Sequence, residues 1–410
     1  MKLRNSLAHE ASSIFFFCLV VLNPVLLAAA VRAQEFRLVH DGVEYAEVTR
    51  TIDGQPVRIN LLRLDLAKVR LDVIHAGNSV IGTEKTSVIA ANHQAVAAIN
   101  AGFFRLDTSV FAGDPAGIFQ VDGKLLSEST KGRVALEIIN DTTHCQSCKV
   151  PRNQTLISIE HLNTFAEFWT QQNRVNISGI DRELKENDAV LYTSEFGATT
   201  PPNVARVFEI VIENKKIKSV GETNGETPIP SNGFVLSAAG TKKAELTPVV
   251  NAGNEAITIL GSYSDREPNA NSNARMKFID VEDIVGGVPQ LIKDGKLDIT
   301  WEKEGSTKSF FETRHPRTAV AKLKDGKFLM ITVDGRSESS GGIGLTDLAS
   351  YLLELGATDA MNLDGGGSTT MYLDGRIVNH PSDKEGERAV SDALIVTLRG
   401  KIRSPTTGPK

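Results

Sequence analysis

Between Ala360 and Gly375 the sequence reads AMNLDGGGSTTMYLDG, in which Asp364 is followed by Gly365, Gly366 and Gly367 and then by Ser368, Thr369 and Thr370. Consecutive glycines let backbone N–H groups approach a ligand closely, and successive amides in a turn can form an anion-binding nest. The hydroxyls add neutral donors. No lysine follows the last glycine, so a nucleotide-binding P-loop is disfavoured. A second stretch, ETRHPRTAVA, carries His315 and Arg317. A guanidinium fork can hold a phosphate through two parallel hydrogen bonds, and an imidazole exchanges protons near neutral pH. In TVDGRSESSGGIG, Asp334 ends an apolar run, and a small-residue loop leads to a helix start, an end that favours anions. In NAGFF, Asn100 closes another apolar run, where a buried amide needs partners or a ligand. Arg388 and Asp392, in EGERAVSDAL, read as surface residues when taken alone. Each stretch also has a purely structural reading as a turn or a solvated edge. Together, paired acids, an arginine, a histidine and a glycine nest suit a substrate that carries both sugar and phosphate. Nucleophile elbows, HExxH zinc sites and dinucleotide fingerprints are absent.

The elements that must position these residues follow from hydrophobic period and turn chemistry. Val57–Leu66 and Val69–Ala76 alternate as a pair of strands, and Thr83–Gln94 reads as a helix capped by Thr83. Ala95–Phe104 is a continuous apolar run of buried-strand character. Asp-Gly pairs at Asp122, Asp294, Asp325 and Asp374 predict hairpins. Glu213–Ser219 reads as a further exposed hairpin turn, and Asn163–Trp169 as a helix. Leu345–Gly356 gives the clearest helical pattern, with Thr346 as N-cap and Gly356 at its end. Strands outnumber helices and hairpins dominate, which predicts an α+β fold of mixed, mostly antiparallel sheets with a few packed helices.

The chain has 410 residues and a formal net charge of -5, with no Lys/Arg cluster, which argues against a nucleic-acid partner. Lys2 and Arg4 precede the apolar run Ile14–Val31 and a small-residue exit at Ala33. Residues 1–33 therefore read as a secretory signal, and Pro24 and Asn23 interrupt the run enough to favour cleavage over a membrane anchor. No stable span is expected after that cleavage. Cys145 and Cys148 then stay in an exported chain, where a local disulfide is expected rather than a zinc or redox site. Residues 34–402 read as a single domain with a variable middle at about 140–280, and residues 403–410 as a disordered tail. No cofactor is required by the motifs, and Asp334, Asp364 and nearby carbonyls could hold a calcium ion, although no EF-hand spacing is present.

The blocks INAGFF, GGVPQLIKDGK, HPRTAVA, VDGR, LTDLASYLLELGATDAMNLDGGGSTTM and ERAVSDALIV occur in an order that resembles the phosphodiester glycosidase family, over about Ala95–Leu126 and Gly286–Leu398. The resemblance implies hydrolysis of a sugar-1-phosphate diester to free sugar and a phosphomonoester, with a phosphoglycan or glycosyl phosphodiester as substrate. Asn100, Gly102, His315, Arg317, Asp334, Asp364, Gly365, Gly366, Ser368 and Arg388 fall on family-patterned positions. On that reading Arg317 and the Gly365–Gly367 amides hold the phosphate oxygens, with Thr369 beside them. Asp334 and Asp364 supply the carboxylate chemistry at the anomeric centre, and His315 is a second proton donor. The same resemblance suggests an exported bacterial protein, secreted or held in the periplasm or cell envelope, acting on envelope or extracellular glycans. A glycan- or phosphate-binding envelope protein without turnover is the alternative. It would keep the glycine nest but would not need the paired acids.

Overall fold

The computed structural model describes residues 35–140, 154–170, 174–250, 255–264 and 281–399. The expected leader, the Cys145–Cys148 pair and the expected tail lie outside the described residues.

Two antiparallel sheets frame the site. In chain order their strands are β1 (Arg37–His40), β2 (Val43–Ile52), β3 (Gln55–Leu64), β4 (Val69–His75), β5 (Ala97–Asn100), β6 (Gln290–Lys293), β7 (Lys296–Leu297), β8 (Arg317–Leu323), β9 (Phe328–Val333), β10 (Ala357–Asn362), β11 (Met371–Leu373), β12 (Arg376–Ile377) and β13 (Asp392–Leu398). The first sheet has the order β1-β2-β3-β9-β8-β10-β6-β7, and the second β12-β11-β5-β13-β4. Side-chain alternation divides the first sheet into two faces. Leu62, Val320, Met330 and Met361 point inward and meet Leu71, Ile99, Met371 and Leu394 of the second sheet. Ile59, Leu61, Ala319 and Ile331 point outward, beneath two helices, α2 (Lys308–Glu312) with Phe310 and Phe311, and α3 (Leu345–Glu354) with Leu345, Leu348 and Leu352. A shorter helix, α1 (Thr86–Asn92), covers the outer face of the second sheet with Ile89 and Ala90. Each such aliphatic side chain taken out of water contributes roughly 1.5–3 kcal/mol.

The hairpins form where the Asp-Gly pairs place them. Asp122 and Gly123 take φ of 49° and 76°, Asp294 and Gly295 51° and 71°, and Asp374 and Gly375 47° and 83°. These are the positive values that a two-residue turn of matching twist requires. Asn214 and Lys215 do the same, at 51° and 62°, in the hairpin expected at Glu213–Ser219.

Several expectations need correction. Val57–Leu66 and Val69–Ala76 do not pair with each other. β3 pairs with β2 and β9, whereas β4 pairs with β13 in the other sheet. The intervening turn, in which Lys68 and Val69 donate to the Asp65 carbonyl, carries the chain between sheets. α1 starts at Thr86 rather than Thr83, because Glu84 and Lys85 are drawn into pairing with Val390 and Ala389. The cap position of α3 is Gly344 rather than Thr346, and Gly356 does end that helix, with φ of 88°. Asn163–Trp169 is not a helix. It lies within one long strand, Leu156–Thr170, paired along its length with Val134–Ile139 and Ala256–Ser264. Its aromatic and β-branched residues find distant strand partners that override the local helical spacing.

Part of the middle of the chain, from Gly179 to Ala238, forms a further five-stranded sheet with a core of its own, including Leu191, Phe208, Ile210 and Leu236. One pairing in it, Gly179–Ile180 with Ala189–Thr193, is parallel. Among the described residues, no helix is long and apolar enough to cross a membrane.

Candidate active site

Strand order places the two acids. β9 and β10 both pair antiparallel with β8, one on each side of it, so they run in the same direction and end at the same edge of the sheet. Asp334 follows the end of β9, and Asp364 lies two residues past the end of β10. Between them sits the entry to β8, His315-Pro316-Arg317. Pro316 is the wedge. Gly366 donates to its carbonyl at 2.9 Å, and a Cβ added to Gly365 would lie 2.8 Å from that oxygen. On the other side, a Cβ on Gly335 would lie 2.8 Å from Pro316 N.

The glycines after Asp364 are explained mainly by what crowds them. Gly366 has φ of 62°, and an added Cβ would meet Arg336 Nη2 at 3.0 Å. A Cβ on Gly367 would come within 2.2 Å of both Arg388 Nη2 and Asp383 Oδ1. Arg388 is held there by a two-pronged pair with Asp383, at 2.8 and 3.1 Å. Two of the three amides expected to cradle phosphate are already engaged. Gly365 donates to Asp364 Oδ1 at 2.9 Å and Gly366 to Pro316. The loop is therefore less an amide nest than a surface over which two guanidiniums can lie.

Burial pushes the Asp364 carboxyl up to about 6. The Ser368 hydroxyl, the Gly365 amide and the Arg388 charge pull the other way, and the Asp392 charge adds to the rise. Ser368 lies beside the carboxylate without a well-formed hydrogen bond. The hydroxyls of Ser368, Thr369 and Thr370 are all buried without protein partners. Asp334 is also buried and also raised, with burial again the leading cause. Its Oδ1 accepts the His380 amide at 3.0 Å, and its Oδ2 lies 3.4 Å from the His380 ring. His315, half-buried with an unpartnered Nδ1, is held below its ordinary value by burial and then by Arg317 and Arg336. It is therefore neutral near pH 7, able to accept a proton rather than to carry a charge.

Three sequence-based assignments change. Arg317 is only 1% exposed and points to the outer face of the sheet. Its guanidinium donates to the carbonyls of Phe310 (2.7 Å), Thr313 (2.9 Å) and Ile343 (3.4 Å), and its cation lies over the Phe310 ring. Burial without a carboxylate lowers it to about 10. Its alternation along β8 puts it opposite Thr318, so it anchors the chain before α3 rather than the phosphate. Asn100 is fully buried and satisfied by the protein. It donates to the Asp364 carbonyl at 2.7 Å and accepts from Thr318 Oγ1 at 2.8 Å and the Thr370 amide at 3.1 Å. It positions the loop. Asp392 is a core residue, not a surface one. It accepts from the Gly102 amide at 2.5 Å and from the Ser391 hydroxyl, and faces the buried, neutral-leaning His75. Gly102 is thus a packing position, with 3.2 Å between an added Cβ and Asp392.

Two residues at the site stand outside the assignments made from sequence. His380, 70% exposed, joins Asp334 to Arg58, whose Nη1 donates to its Nδ1 at 2.9 Å. Arg336, exposed and at φ of 60°, covers Gly366. Its place directly after the Asp334-Gly335 turn was the only available hint. Among the described residues no group of three or more His, Cys, Asp or Glu side chains is placed to hold a metal ion.

The family model described as phosphodiester glycosidase matches residues 207–397, just under half of the chain. The match reaches well into the stretch read above as variable. The bovine N-acetylglucosamine-1-phosphodiester alpha-N-acetylglucosaminidase is 35% identical over 158 residues, which cover 36% of this chain and 28% of that enzyme. A prophage-derived protein of Bacillus subtilis, YomE, is 39% identical over 107 residues, 26% of this chain and 16% of its own length. These curated relatives are thus matched over less than a third of their lengths. A hypothetical protein from Synechocystis shares the fold at a TM-score of 0.73 and 23% identity, over 90% of this chain and 65% of that one. The acids and the glycine loop derived above, Asp334, Asp364 and Gly365–Gly367, all fall inside the matched stretch. Residues 207–397 of this chain belong to the phosphodiester glycosidase family.

Proposed function

We propose that this chain hydrolyses a sugar-1-phosphate diester, releasing the sugar and leaving a phosphomonoester on the acceptor. The observation that carries the reading is Asp364, a carboxyl pushed up to about 6 at the edge of a loop covered by the guanidiniums of Arg336 and Arg388. An acid that keeps its proton up to about pH 6 can pass it to a departing oxygen, and two arginines stabilise the charge that develops on a phosphate.

Asp334 supplies the base. Strands two places apart in a sheet are separated by about 10 Å, wider than the roughly 5–5.5 Å of a double-displacement pair and near the range that leaves room for a water. In this scheme Asp334 takes a proton from water as its oxygen bonds to the anomeric carbon. The bond from that carbon to the phosphate oxygen breaks, and Asp364 protonates the leaving phosphate. The sugar is released with inverted configuration.

The reading extends to export. The N-terminal leader pattern supports it, and a candidate exported protein from Burkholderia pseudomallei shares the fold at 24% identity and a TM-score of 0.70, over 83% of this chain and 74% of that one. The decisive experiment is to incubate the chain with a panel of sugar-1-phosphate diesters and score free sugar and its anomer by NMR. Release from aryl glycosides but from no diester would overturn the phosphodiester reading.

A further inference from the structure

A cleft of about 400 Å3 opens between β2, the start of β1 and the β12 hairpin. Arg37 and Arg376 line it with Glu35, Tyr45 and Glu47. Among the described residues neither guanidinium has a carboxylate within ion-pair distance, although Arg37 lies over the Tyr45 ring at 5.0 Å. Glu35 and Glu47 line the same cleft without pairing them, so both exposed guanidiniums keep their donors for an anionic group.

Tyr45 and Glu47 of the cleft lie on the inner face of the first sheet, which also carries Asn60 and Arg58 of β3 and Thr332 and Asp334 at the end of β9. Strand register aligns Glu47 with Asn60 and Asn60 with Thr332. Tyr45 Oη donates to Asn60 Oδ1 at 2.7 Å. Arg58 lies 3.6 Å from Glu47 and hydrogen-bonds His380, which touches Asp334. Burial pushes the Tyr45 hydroxyl up to about 12, with Glu47 and Asp334 adding to the rise and Arg37 and Arg376 opposing it, so all four charges are felt at one point.

The sheet also sets a distance. β2 and β10 are four strand spacings apart, about 20 Å. A single glycosyl phosphate at Asp364 does not bridge that span; a chain of them does. We propose that the cleft is an acceptor-side subsite in which Arg37 and Arg376 hold a second anionic group of a phosphoglycan, beyond the bond that is cleaved. This rests on the phosphodiester reading above and assigns the substrate class as polyanionic rather than a lone diester. Glu47 and the Tyr45 edge face the hydroxyls of the intervening sugar.

Two probes test it: an N-acetylglucosaminyl phosphate methyl diester, and a homologue whose acceptor is a sugar bearing a second phosphate. With the full chain, KM for the two-phosphate probe should be at least tenfold lower, and the advantage should shrink as salt rises. Arg37→Gln with Arg376→Gln should abolish the advantage while leaving kcat on the methyl diester unchanged. Each single change should remove part of it. Equal KM values for the two probes, or an advantage that survives the double change, overturns the subsite. If neither probe is cleaved the hydrolytic reading fails, and calorimetric binding of the same probes decides the subsite separately. Tighter binding of the two-phosphate probe that is lost in the double variant supports it, and equal binding overturns it.

Discussion

Asn100 Nδ2 donates to the main-chain carbonyl of Asp364 at 2.7 Å, across 264 residues of sequence. The same side chain accepts from Thr318 on β8 and from the amide of Thr370. One buried amide therefore ties both sheets to the loop that carries the acid. Replacing it with Ala leaves three polar groups without partners, and should cost about 2–4 kcal/mol. Urea unfolding of Asn100→Ala checks this. An unchanged midpoint with lost activity would instead make Asn100 a substrate contact.

Asp364 should appear in the pH profile. With its carboxyl at about 6, kcat/KM should fall as pH rises through that value, because the acid is then deprotonated. Asp364→Asn should remove that limb together with at least ~100-fold of the rate, in keeping with the usual contribution of a positioned acid. Ligand binding should persist in that variant. If turnover also persists, Asp364 is not the acid.

Buried carboxyls make the fold more stable on the acid side. Burial raises Glu137 to about 7, with Glu160 adding to the rise, and raises Asp181 to about 8 against two hydrogen bonds from Thr193. A carboxyl whose pKa is higher in the folded state binds its proton more tightly there. Stability is then fullest below the ordinary carboxylate range and declines as pH rises towards 7–8. Melting temperature should fall from pH 5 to pH 8, and Asp181→Asn should flatten the slope. A melting temperature that climbs over that interval contradicts the prediction.

Arg317 and Arg388 should separate cleanly. Arg317→Met leaves the carbonyls of Phe310 and Thr313 unpaired under α3, at a cost of about 2–4 kcal/mol. Arg388→Met breaks only a half-exposed pair with Asp383 and should change stability by less than about 1 kcal/mol while raising KM for a diester. Thermal melts and initial rates measured together decide it. Equal effects of the two changes on KM would return Arg317 to the phosphate.

Gly367→Ala places a methyl 2.2 Å from Arg388 Nη2 and Asp383 Oδ1 and should cost activity by displacing both. Gly117→Ala, where nothing lies within 4 Å of an added Cβ, is the control and should behave like the parent chain. Similar rates for the two variants would show that the loop tolerates a side chain.

What the sequence determined by itself is local. Asp-Gly pairs specified hairpins because two residues with positive φ are a property of the turn alone. The Leu345, Leu348 and Leu352 spacing specified α3 because a helix closes its own hydrogen bonds. Asp334 and Asp364 stood out as strand-end acids because each is followed at once by glycine. Tertiary structure decided the rest. Arg317 and Asp392 both left their expected settings for buried ones because strand alternation and sheet partners, not residue type, set which face a side chain occupies. Leu156–Thr170 became a strand because its partners lie far along the chain. His380 reached Asp334 only when a hairpin of the second sheet folded over the end of the first. Contacts of that kind depend on two sheets meeting, and no window of sequence contains both of them.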